Sequence, residues 1–131
     1  MNSAKIIQEY HIADCYYCLK SDNIIYVTSV GELSDEQALL SKEAVLKLHN
    51  MVEGKICVLV DLNKAGRPSP FSRKMWNDLS EQEEKIVKVA LFGLHPVAKI
   101  IAAFFIGITR NKKTKFFMNR ENALEWLLEK K

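Results

Sequence analysis

A chain of 131 residues supports one hydrophobic core and leaves too little for two, so a single domain over residues 1–131 is expected. Hydrophobic residues at 48% and charged residues at 27% are ordinary globular usage, which excludes low-complexity and fibrous classes. A formal net charge of +3 is too small an excess to demand a polyanion, so a nucleic-acid partner is not expected.

The opening Met1-Asn2-Ser3-Ala4-Lys5 lacks the apolar run and cleavage site of a secretory signal, and a cytoplasmic setting is the expectation. Strands are predicted over Lys5–Tyr10, around Cys15–Leu19 and over Asn23–Ser29, with turn chemistry at Ser21-Asp22, so the chain starts as an antiparallel hairpin. Ser34-Asp35-Glu36-Gln37 reads as a capping box opening a helix that runs to about Val52. Leu40, Ala44, Val45, Leu48 and Val52 form its apolar face, and Gly54 is expected to take the left-handed conformation that ends it.

Ile56-Cys57-Val58-Leu59-Val60 is continuously apolar, as in a central strand covered on both sides. Ser69-Pro70 reads as the cap and first residue of a second helix, with Phe71, Met75 and Leu79 as its buried stripe. A further buried strand over Ile86–Phe92 ends at Gly93. Pro96 then starts a helix over about Val97–Ile106, and Thr114–Met118 forms the last strand. Asn119 caps a closing helix with Glu121 at its positive end, with Ala123, Trp126 and Leu127 inward and Lys130 and Lys131 at its negative end. Together these elements predict an α/β fold: a mostly parallel central sheet with an N-terminal antiparallel hairpin and about four helices.

Catalytic and metal-binding patterns are weak. Cys15-Tyr16-Tyr17-Cys18 has CxxC spacing, but in a strand residues three apart point to opposite faces, so packing is favoured over redox or zinc chemistry. Cys57 reads as a small hydrophobe inside its strand. His11, His49 and His95 show no metal-ligand spacing, and neither GxGxxG nor GxxxxGK[ST] occurs, so no catalytic residue, metal or cofactor is assigned. Glu81, Glu83 and Glu84 read as a solvated charge run without a nucleophile–base pair.

Two regions are candidates for binding. The segment from Asp61 to Arg73 follows a central strand, where ligands of open α/β sheets gather, and offers Asp61, Asn63, Arg67, Ser69, Ser72 and Arg73 as a regulatory or partner loop. Phosphate on Ser69 or Ser72 would sit by helix-start donors and basic side chains; alternatively Ser69 only caps the helix and Asp61 only accepts turn hydrogen bonds. Pro96 to Ile108 is apolar nearly all round yet short of the roughly 20 residues of a membrane span, so no transmembrane segment is expected. Ile101, Phe104 and Phe105 there are candidates for a homodimer interface or an apolar ligand pocket, full burial being the alternative. The basic stretch Thr109–Lys115 reads as a solvated loop, without the aromatic interleaving of a nucleic-acid surface.

Val87-Lys88-Val89-Ala90-Leu91-Phe92-Gly93, the helix after Pro96, Lys115-Phe116-Phe117-Met118 and the closing Glu121-Asn122-Ala123-Leu124-Glu125-Trp126-Leu127 resemble the STAS fold, in its SpoIIAA-like, Sec14-related branch of bacterial proteins. Val60-Asp61-Leu62 resembles the strand end that precedes the family's phosphorylated serine. The loop Arg67-Pro68-Ser69-Pro70-Phe71-Ser72 departs from the family's Asp-Ser-Ser-Gly string, so that phosphoswitch is not carried over. The resemblance implies a non-catalytic module that binds a protein partner or itself, with a small apolar ligand or lipid as the alternative.

Overall fold

β-Branched and aromatic residues at the amino end pair early because each strand is joined to the next by a tight turn. The structure, a computed structural model, describes residues 4–109 and 113–129, the side chains of 104–109 excepted. β1 (Ile6–Ile12), β2 (Cys15–Lys20) and β3 (Ile24–Gly31) form an antiparallel meander. Its turns carry the left-handed residues Ala13 (φ 54°) and Asn23 (φ 61°), the second a type that tolerates this region.

From β3 onward the pairing becomes parallel, because each further strand returns through a helix. The order is β3, α1 (Asp35–His49), β4 (Ile56–Ala65), α2 (Pro70–Gln82), β5 (Ile86–Phe92), α3 (Pro96–Thr109), β6 (Thr114–Phe117) and α4 (Arg120–Leu127). The six strands lie side by side in chain order, which puts the apolar runs of β4 and β5 inside the sheet. This is the α/β architecture expected, with its antiparallel start and four helices.

Alternation along the strands separates two faces. Ile25, Val58 and Val89 lie across from one another on the face that α1, α2 and α3 cover; Tyr26, Leu59 and Ala90 lie on the other, where α4 packs Ala123 and Leu127 against β4 and β5. Cys15 and Cys18 divide in the same way, Cys15 into the first cluster and Cys18 into the second. The CxxC thiols therefore point apart, as a strand requires.

Caps fix the helix starts. Ser34 and Gln37 form the reciprocal capping box, Ser69 Oγ accepts from Ser72 N at 3.0 Å, and Asn119 Oδ1 accepts from Asn122 N at 2.9 Å. The carboxyl ends are closed differently from expectation. Gly54 has no left-handed φ, and α1 ends at Asn50 in ordinary helical geometry. Its last carbonyls are taken instead by Lys85, which donates to His49 O at 2.9 Å and also to Val52 O. Lys113 donates to Ser80 O at 2.6 Å at the end of α2, and Lys88 to Trp126 O at 2.7 Å at the end of α4. Each ammonium meets the negative end of a helix dipole. Lys130 and Lys131, expected in that role for α4, lie outside the described residues.

Helix phase also corrects the sequence reading. Leu40 is exposed, whereas Ser41 is fully buried because its hydroxyl bonds Tyr17 Oη at 2.7 Å across to β2. In α2, Phe71 is 43% exposed and the inward stripe is Ser72, Met75, Trp76 and Leu79. That i, i+3, i+4, i+7 spacing keeps the predicted Met75 and Leu79 and puts Ser72 and Trp76 inward where Phe71 was expected.

Candidate functional site

Seating a serine on the inner stripe of α2 leaves space between that helix and the sheet. The space is a cavity of about 160 Å³. Its floor is Val27, Val58, Val60, Val89 and Leu91 from the sheet, and its roof includes Ser72, Trp76, Asn77 and Leu79 of α2. It runs from Gly31 and Arg67, at the carboxyl ends of β3 and β4, to Ile86 and Thr114, at the amino ends of β5 and β6.

The first end is shaped by Gly66. A Cβ there would stand 2.6 Å from Glu32 Cγ and 2.7 Å from the Gly31 carbonyl carbon, so only glycine allows this approach of the two strand ends. Gly66 N donates to Gly31 O at 2.9 Å, and Arg67 follows at the mouth.

Two polar side chains belong to the roof. Ser72 is 5% exposed and Asn77 9%, yet among the described residues neither the Ser72 hydroxyl nor the Asn77 amide makes a hydrogen bond. Both line the cavity, so their polar atoms are open to whatever fills it and stand as hydrogen-bonding groups on an otherwise apolar wall. Tyr17 also lines the cavity, but its hydroxyl is engaged by Ser41, and burial raises its pKa above the ordinary phenol range. It stays a neutral structural donor, unsuited to act as a base.

The structure brings together some of the residues singled out from sequence and separates others. Arg67, Ser72 and Ile101 meet on the cavity wall. Asp61 and Asn63 do not, because β4 continues to Ala65 and turns both toward the α4 face; the predicted loop is thus shortened to 66–69. Asp61 Oδ1 accepts from Asn63 N at 2.9 Å, and Asn63 Oδ1 accepts from Leu94 N at 2.8 Å, tying β4 to the turn after β5. Ser69 Oγ donates to Asp35 Oδ1 at 2.8 Å while capping α2, so it joins the starts of α1 and α2. Arg73 is half-buried in the first part of α2. Phe104 and Phe105 belong to α3, but their side chains lie outside the described residues; the inward residues seen are Ala98, Ile101 and Ala102, while Ile100 is exposed.

Sequence reasoning missed Trp76 and Asn77. The available signal was the run of Ser72, Asn77 and Ser80 in a helix that had to cover an apolar sheet. Among the described residues no group of three His, Cys, Asp or Glu converges in metal-binding geometry, and no helix is long and apolar enough to cross a membrane. Burial, the largest influence, raises the Cys57 pKa.

A parallel sheet opening on an antiparallel meander, with three helices on one face and one on the other, is a SpoIIAA-like fold. The chain belongs to the family described as Domain of unknown function (DUF7793), which matches residues 17–131. Among solved structures it is similar to a DUF3478-family protein with a SpoIIAA-like fold from Shewanella loihica PV-4, with 20% identity, 97% of each chain covered and a TM-score of 0.59. A protein with unknown function from Arthrobacter sp. FB24 matches at 22% identity over 85% of this chain and 96% of that one, with a TM-score of 0.29. No curated protein matches.

Proposed function

We propose that this protein is a non-catalytic cytoplasmic module that encloses one small, largely apolar ligand between its sheet and α2. The observation that carries this reading is the cavity roofed by Ser72 and Asn77, whose side chains make no hydrogen bond among the described residues. Apolar walls with a few convergent polar groups are the usual form of a ligand site. An apolar cavity of about 150 Å³ accommodates benzene, so a single ring or a short branched chain is the matching size. The three free cysteines suit a reducing compartment.

Thermal unfolding with the neutral probes benzyl alcohol and phenylacetamide tests the proposal. A ligand held only by the folded state at a hundred times its Kd adds about 2.7 kcal/mol, so a saturable rise of several degrees in Tm is expected. An unchanged Tm with both probes, and with the anion phenylacetate as well, overturns the reading.

A second reading, self-association, is favoured by the exposed apolar side chains at the carboxyl end of the parallel strands. Leu94 is 71% exposed and Met118 65%, on the turns after β5 and β6. Apolar groups gathered at one end suit an interface between copies. Light scattering is expected to give a dimer that Leu94→Asp with Met118→Asp converts to monomer; a monomeric parent protein removes this reading.

A further inference from the structure

We propose that the cavity selects a small organic anion, a carboxylate on a compact apolar body, with Arg67 at the mouth taking the carboxylate. The proposal rests on the cavity being a ligand site and goes further by naming the ligand's charge and orientation. Among the described residues Arg67 is the one charged group on the cavity wall. It is exposed and has neither an ion pair nor a hydrogen bond among them. A guanidinium offers a planar fork of donors that fits a carboxylate with two parallel hydrogen bonds, which a lysine ammonium does not reproduce.

The surroundings favour the same sign of charge. The amino end of α2 lies beside Arg67, contributes the positive end of its dipole, and has no acidic residue in its first turn. Ser72, in that turn, lines the same wall, and its hydroxyl makes no hydrogen bond among the described residues. The acidic groups near this end are otherwise placed: Glu32 is exposed, and Asp35 accepts from Ser69; neither lines the cavity or pairs with Arg67.

Size sets the orientation. The enclosed part is apolar and suits one ring, so a charged group on the ligand stays at the mouth, where it keeps part of its hydration and meets Arg67. Asn77, farther along α2, is left for a second polar atom on the body of the ligand, such as a ring hydroxyl.

Phenylacetate and its neutral isostere phenylacetamide are the probes, read by calorimetric titration of the full chain. Phenylacetate is expected to bind at least tenfold more tightly. Arg67→Gln is expected to remove that preference and leave phenylacetamide binding unchanged, while Arg67→Lys restores only part of it. Because Arg67 is exposed, circular dichroism and Tm of the free variants should match the parent protein. Equal binding of the two probes by the parent, or an anion preference that survives Arg67→Gln, overturns the anion proposal while the cavity remains a ligand site. Failure of both probes overturns both readings.

Discussion

Truncating Ile25 to alanine is expected to lower folding stability by about 2–5 kcal/mol, the usual range for deleting a fully buried branched side chain. Ile25 is completely inaccessible on β3 and sits between Leu19 of β2 and Val58 of β4 in register. These neighbours are held by strand pairing on both sides, so they cannot collapse into the space left behind. Lost contacts then add to the lost transfer free energy. For a domain of this size about 4 °C of Tm accompanies each kcal/mol, so a fall of roughly 10–20 °C is expected by calorimetry. Val60→Ala supplies the internal comparison. Val60 borders the cavity and already lacks packing on one side, so its truncation should be clearly less damaging. Equal losses at the two positions would contradict the cavity as described.

Strands and caps were legible in the sequence because their causes are local. Ser34 with Gln37, Ser69 with Pro70, and Asn119 each place a side-chain acceptor where a helix start lacks one, whatever surrounds them. The apolar runs Ile56–Val60 and Ile86–Phe92 required cover on both faces, and they lie inside the sheet as that requirement predicts. The phase of α2 was legible at Met75 and Leu79 but not in its first turn. Phe71 is the larger apolar residue, but the helix packs by its 72, 75, 76, 79 stripe, and a serine is turned inward. The ending of α1 was missed for a related reason. Gly54 is a local signal, whereas Lys85 reaches the last carbonyls from the start of another strand. The candidate site was half legible: Arg67, Ser72 and Ile101 were singled out, yet their meeting place is a space between elements that no residue's own pattern encodes.

Replacing Asn77 by leucine is expected to raise stability while weakening ligand binding, a combination that a purely structural asparagine would not give. In the parent protein the amide makes no hydrogen bond among the described residues and stands on a largely apolar wall, so exchanging it for hydrocarbon costs no protein hydrogen bond. Leucine also has the higher helix propensity, and its two methyl groups stand where the amide oxygen and nitrogen stood, adding apolar contacts to the cavity wall. A rise of about 4 °C in Tm, roughly 1 kcal/mol in a domain of this length, is the expected sum. With the amide gone from the wall, benzyl alcohol and phenylacetamide should shift Tm clearly less than they do in the parent protein. Binding sites retain groups that fold poorly because those groups serve the bound state, and this trade becomes visible when one is removed. An Asn77→Leu protein less stable than its parent would mean that the amide is already satisfied within the fold, and the strongest reason for placing a ligand under α2 would be gone.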